Sequence, residues 1–336
     1  MDFDTALSTP RTPHGSSDDP DVLDFSANTN PEVPPGVEDV YRDAFESVRT
    51  YPEEPPRRFR EVAASYVGCA PEEVIPTPGG LSAIRSTVDL AVEAGDRVAV
   101  PFPSFGEYAR EVRLQGGSPE FVPHDELLGV DPDEYALVVV CNPNNPTGDA
   151  YDDETLRAFT ARCRDAGTPL LADEAFLGFT DRPSLAGTQG VVVARALTKL
   201  FGMPGLRVGF AVATDAHREA LANARRTWNL GAPALATGTY CMEQSAFVSE
   251  TRDRVRRERT RLAAHLADEF GVHASESPFL LLDVGDRSVD AVLARAEDAG
   301  LALRDARTFR GLKSHVRVAV RLPAENDRLL EVLDDV

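Results

Sequence analysis

From Gly79 to Gly209, short runs of β-branched and aliphatic residues alternate with stretches of helical period. Apolar strands are read at RVAVP from Arg97, ALVVV from Ala136, PLLAD from Pro169, VVVAR from Val191 and RVGFAVA from Arg207, with helices from Ser104 and Asp152. Runs that are apolar on both faces belong to a covered sheet, so the pattern predicts an α/β fold with a largely parallel sheet. From Asp215 the pattern turns helical, with one break around Gly231 and Pro233 followed by a long helix to Glu269. Beyond Gly271, strand FLLLDV from Phe279, a helix from Ser288 to Ala299, strand VRVAV from Val316 and a helix from Pro323 predict a smaller α/β layer. Residues 1–23 are polar and rich in Ser, Pro and Asp, which predicts an arm ordered only against the body or a partner.

The chain has 336 residues, enough for roughly two domains. Its formal charge of −20, from 35 basic and 55 acidic residues, repels nucleic acid and anionic membrane surfaces at long range. Lysine occurs at Lys199 and Lys313 and nowhere else. An acidic chain nearly stripped of lysine resembles proteins of salt-accumulating cytoplasms, so thermal stability is expected to rise in molar salt; unchanged or lower stability would refute that habitat. The scattered cysteines form no C-x-x-C pair and the histidines no ligand-like spacing, so no disulfide framework or metal site is expected. The N-terminus carries no apolar core of a leader and no window reaches the length of a membrane span, so a soluble, cytoplasmic protein is expected.

Four segments carry candidate chemistry. Gly79 and Gly80 open an amphipathic helix whose bare N–H groups suit a phosphate, although glycines there also read as a plain turn. Asn142 to Gly148, NPNNPTG, forms a loop stiffened by two prolines at the end of a strand, where open α/β sheets bind ligands. Asp173 ends an apolar strand, a costly position for a carboxylate unless it meets a cation or a donor, so a charged partner is expected. Lys199 lies in ALTKLFGMPGLR between two hydrophobic strands. In a chain that otherwise keeps a single lysine, Lys313, it points to chemistry that needs a primary amine able to lose its proton.

Together, in this order, these segments resemble the fold-type I pyridoxal-phosphate enzymes of the class I/II aminotransferase superfamily, over nearly the whole chain from about His14. The resemblance implies a large domain with a mostly parallel sheet of seven strands and a smaller C-terminal α/β domain. Residues 1–40 would be an arm joining the small domain, 41–230 the cofactor-binding domain, and 231–336 an interdomain helix with the small domain. It also implies the cofactor pyridoxal 5′-phosphate and a homodimer. Lys199 would form the imine with the cofactor, Asp173 would hold the ring nitrogen protonated, and Asn145 would bond the 3′-oxygen. Gly80, Leu81, Thr198 and Arg207 would bind the phosphate, Phe105 would stack on the ring, and Tyr51 would reach the neighbouring subunit's phosphate. Phe176 stands where relatives with aminotransferase activity carry a tyrosine, and Ala196 where many carry serine.

Within the superfamily, His14–Gly15, the segment DFSANTNP with Asn30, and the C-terminal FRGL and VRVAVRLPAENDRLL resemble threonine-phosphate decarboxylases of cobalamin synthesis more than their sisters, the histidinol-phosphate aminotransferases. The implied substrate is a small phosphorylated amino acid, with His14, Asn30, Arg310, Arg317 and Arg321 as candidate ligands. Arg317 matches the family's arginine for the substrate carboxylate. On one strand, Arg317 and Arg321 share a face and could clamp a dianion, or they could pair with acids such as Asp305 and Glu325. A non-catalytic regulator built on the same domain would need a basic DNA-binding segment, which the acidic N-terminus lacks.

Overall fold

The computed structural model describes residues 3–10, 17 and 19–334. After a two-residue strand, β1 (Leu23–Asp24), a central sheet is built from β2 (Val74–Thr77), β3 (Arg97–Phe102), β4 (Ser118–Pro123), β5 (Leu137–Cys141), β6 (Leu170–Asp173), β7 (Val191–Ala196) and β8 (Gly209–Val212). Their spatial order is β2-β8-β7-β6-β5-β3-β4. All run parallel except β8, which is antiparallel to both neighbours.

Alternation of side chains across the sheet divides its residues between two cores. Val98, Val100, Leu137, Val139 and Leu171 pack under helices Gly80–Ala91 and Glu107–Leu114 through Ile84, Val88, Tyr108 and Val112. Val138, Val140, Leu170, Ala172 and Val193 pack on the other face against Phe59, Leu156 and Phe159 of helices Arg57–Val67 and Asp153–Ala166. Strand β5 is buried along its whole length, which is why it reads as an unbroken apolar run.

The C-terminal part carries β9 (Gly271–Val272), β10 (Phe279–Asp283), β11 (Leu301–Ala302), β12 (Arg304–Asp305) and β13 (His315–Ala319). Four of these form an antiparallel sheet in the order β12-β13-β10-β9, while β11 pairs in parallel with β1. The N-terminal segment is thereby joined to the C-terminal layer. Residues Phe3–Ser8 form a short helix against Glu107–Leu114.

Three expected elements differ. The helix after Ser104 begins at Glu107. The strand expected from Arg207 begins at Gly209, because Arg207 sits in the left-handed region at φ 52 and cannot join a ladder. The long helix to Glu269 is two: Ala232–Met242 docks on helices Val37–Asp43 and Arg57–Val67, and Ser245–Leu266 docks on Pro323–Leu333. Gln244, at ψ 63, turns the chain between those two docking directions.

Among the described residues no helix is long and apolar enough to cross a membrane, and no group of three or more His, Cys, Asp or Glu could hold a metal ion.

Candidate active site

Strands β5, β6 and β7 are parallel neighbours, so their C-terminal ends share one edge of the sheet. That edge gathers the loop Asn142–Gly148, Asp173 and the turn of helix Leu197–Leu200 that bears Lys199. The helix that opens at Gly80, after β2, faces the same edge.

The Gly79–Gly80 turn is pressed against β7 and β8. A Cβ on Gly209 would run into the Arg195 carbonyl and lie 3.0 Å from the Gly80 amide nitrogen, and one on Gly80 would come within 3.3 Å of the Ala196 Cβ. Gly79, at φ 85, supplies no side-chain cap, so the first N–H groups of the helix, at Gly80 and Leu81, are left for a ligand. Arg207 reaches this turn: a Cβ on Gly79 would sit 2.7 Å from its guanidinium. The left-handed backbone of Arg207 is strain of the kind found at binding sites. Thr198 is buried in the helical turn that also bears Lys199.

Asp173 is 6% exposed. The partners it finds are neutral, which corrects the expected charged one: the Tyr108 hydroxyl donates to Oδ2 at 2.5 Å and the Ala175 N–H to Oδ1 at 3.0 Å. Burial pushes its pKa up, against those donors and the more distant Arg195 and Lys199. The ion pair belongs instead to the next residue, Glu174, which side-chain alternation sends the other way to Arg195 at 3.1 Å, with the Ser184 hydroxyl donating at 2.6 Å. Lys199 is brought down to about 8 by burial, then by Arg317 and Arg207.

The substrate arginines are arranged differently from the expected clamp. Arg317 is 5% exposed; it donates to Asn145 Oδ1 and to the Ser26 carbonyl at 2.8 Å, and its Nε has no partner among the described residues. Its neighbour is Arg304, which the β12–β13 register sets directly opposite. Arg304 is 9% exposed and gives a hydrogen bond to Thr308 Oγ1 at 2.9 Å. Arg321 lies beyond the end of β13 and is held by Glu325 at 3.1 Å and by the Asp24 carbonyl at 2.9 Å, so it does not join Arg317 in a clamp. Arg310 stands over the Phe121 ring at 3.7 Å and lines a cavity of about 150 Å³ with Phe105.

Asn30 is also corrected. Its side chain is spent on the Leu200 carbonyl at 2.8 Å and on Arg254 at 2.5 Å, and its N–H holds the Lys199 carbonyl at 2.9 Å, so it fastens the N-terminal strap to the lysine turn. Asn28, two residues earlier, is buried, and its Oδ1 has no partner among the described residues. His14 lies outside the described residues. Phe176 packs edge-to-face on Phe279 at 5.1 Å, and Phe105 edge-to-face on Tyr108 at 5.6 Å. Tyr51 is 76% exposed and stacks on Trp228 at 4.2 Å.

Tyr108, Arg304 and Asn28 were not singled out from sequence. Tyr108 follows Phe105 by three residues, one turn of the helix expected from Ser104, and that spacing is its signal. Arg304 had none, because its importance comes from pairing with a strand thirteen residues away.

The donor set fits a phosphorylated pyridine aldehyde. Open amides and Arg207 suit the phosphate, a buried carboxylate suits a ring nitrogen, and a lysine of lowered pKa suits the aldehyde. Comparison with known proteins agrees. Residues 20–333 match the family model "Aminotransferase class I and II". The chain is 33% identical over 333 residues to the histidinol-phosphate aminotransferase of Symbiobacterium thermophilum, covering 93% of this chain and 90% of that one. It is 31% identical over 329 residues to a provisionally named threonine-phosphate decarboxylase of Caldanaerobacter subterraneus subsp. tengcongensis, covering 91% and 88%. Its fold matches the crystal structure of histidinol-phosphate aminotransferase from Sinorhizobium meliloti in complex with pyridoxal-5′-phosphate, with a TM-score of 0.85, 23% identity and coverage of 94% and 91%.

Proposed function

The chain belongs to the aminotransferase class I and II family, and from that premise we propose that it decarboxylates a small phosphorylated amino acid, O-phospho-L-threonine, to aminopropanol phosphate. Its cofactor is pyridoxal 5′-phosphate. In this reading residues 41–230 form the cofactor-binding body, while 231–336 with the arm 1–40 form the cover that binds substrate.

The observation that carries the substrate class is the opposition of Arg304 and Arg317. Like charges directly across a strand pair repel, and burial raises the cost, since desolvation lowers the pKa of both. An anionic group bound at the buried Arg317, whose Nε has no partner among the described residues, would offset that charge. Arg317 Nε and Asn28 Oδ1, without a partner among the described residues, would be a donor and an acceptor for the substrate's carboxylate and its amine or hydroxyl.

The bound cofactor supplies an aldehyde that captures amines and a ring that accepts the electron pair of the bond broken at the substrate α-carbon. Asp173 holds the proton on the ring nitrogen. Arg317 and Arg304 would hold the substrate's anionic groups and so select which bond at its α-carbon is broken. On this reading the α-carboxylate would leave as carbon dioxide, and Lys199 Nζ would deliver the proton that takes its place on the α-carbon. Phe176, packed on Phe279, gives no hydroxyl to the 3′-oxygen, leaving Asn145 as the side-chain donor there and favouring decarboxylation over ordinary amino transfer. The homodimer reading draws on the exposed side chains of Tyr41, Phe45 and Tyr51, the last of which would reach the neighbour's phosphate.

A second reading, histidinol-phosphate amino transfer, is favoured by the names of several relatives. One experiment separates them. Purified holoenzyme given O-phospho-L-threonine should release carbon dioxide, and the reading fails if turnover occurs only with histidinol phosphate and 2-oxoglutarate. In the same assay Arg304→Leu is expected to raise KM for the phosphorylated substrate about tenfold to hundredfold, the worth of one hydrogen bond to a charged group, with cofactor affinity unchanged.

A further inference from the structure

We propose that Tyr108 is a positioning residue for Asp173: its hydroxyl fixes the orientation of the carboxylate that meets the cofactor's ring nitrogen. The inference rests on the cofactor assignment and not on the identity of the substrate.

Tyr108 has no exposed surface, and its ring sits in the core beneath the sheet with Ile84 and Val112. Phenylalanine would fill that space as well. A buried hydroxyl is costly unless it is bonded, so its retention here has to be explained by its partner. That partner is Asp173 Oδ2 at 2.5 Å. The Ala175 N–H takes Oδ1 at 3.0 Å. Two donors approaching different oxygens set the plane of the carboxylate, and the phenol, whose pKa is driven well above its ordinary value by burial and by Asp173 itself, always has its proton to give.

Phe105 lies in the loop just before this helix, its carbonyl accepting the Tyr108 N–H at 3.3 Å, and packs edge-to-face on Tyr108 at 5.6 Å. If Phe105 covers the ring face, one rigid turn sets both the stacking plane and the carboxylate that must lie in that plane. Because Phe176 has no hydroxyl for the 3′-oxygen, the tyrosine at this ring lies at the nitrogen end.

The test uses Tyr108→Phe, which keeps the packing. In cofactor-free protein, the ¹³C carboxyl resonance of Asp173 should titrate at least about one pH unit higher than in wild type, since a donor to the charged form has been lost. In the loaded protein the dissociation constant for pyridoxal phosphate should rise about tenfold, and kcat should fall about tenfold to hundredfold with KM within twofold. In an Asp173→Asn background, Tyr108→Phe should change neither cofactor affinity nor kcat further. An unmoved Asp173 titration in Tyr108→Phe overturns the proposal, as does an equal loss in both backgrounds, the mark of a purely structural role. Wild-type protein that takes up no cofactor would sink the cofactor assignment instead, while the cofactor-free titration still decides the role of Tyr108.

Discussion

Lys199→Ala is expected to abolish the visible absorbance of bound pyridoxal phosphate and to lower turnover on the order of a million-fold, the scale seen when a catalytic nucleophile is removed. The fold should survive. The Lys199 amine is a burden on the native state, being buried beside Arg317 and Arg207. Those surroundings depress its pKa from 10.5 to about 8. The unfolded chain therefore binds more protons between those values, so wild-type stability should climb with pH through that window, and the alanine variant should lack the climb. Uptake of cofactor by the apoprotein, which consumes the unprotonated amine, should speed up through pH 8 and level off above it. An inflection near 10 would mean a solvated amine, and a visible band that persists in the variant would remove Lys199 from its role.

Much of this site was legible because its parts are local in sequence. Lys199 stood out against a chain almost without lysine, Asp173 by ending an apolar strand, and Gly79–Gly80 and NPNNPTG by breaking elements where parallel strands deliver loops. The sheet followed from the apolar runs, and its antiparallel strand β8 was hidden because a buried strand has the same composition in either direction. What sequence could not give is non-local. Register across β12 and β13 pairs Arg304 with Arg317, whereas counting along one strand paired Arg317 with Arg321. The strand ends at Ala319, before Arg321, so period-two reasoning was carried past the point where it holds. Asn30 was misread for a related reason: a buried polar side chain in a recognisable motif can serve the backbone around a site as readily as the ligand in it.

Asp173→Asn is the other large effect, and here stability and activity should part. Burial raises the pKa of Asp173 in the cofactor-free protein above its unfolded value. The native state then holds the extra proton between those two values, and stability falls as pH rises through that window. In its ionised form the buried carboxylate is a cost to the empty protein. Asparagine removes the charge, still accepts a hydrogen bond from Ala175 or Tyr108, and should leave the cofactor-free protein at least as stable at pH 7, as read by its unfolding midpoint. Turnover should fall about a thousandfold, the upper range for losing one preorganised electrostatic group. The reason is that an amide cannot hold a proton on the ring nitrogen by charge, and the partners of Asp173 among the described residues, Tyr108 and the Ala175 N–H, are neutral donors that cannot do so either. Lys199 is untouched, so the visible band should remain. A variant that keeps full turnover would show that Asp173 does not face the ring, whereas one that loses turnover together with its fold would show that the carboxylate is held there for structure.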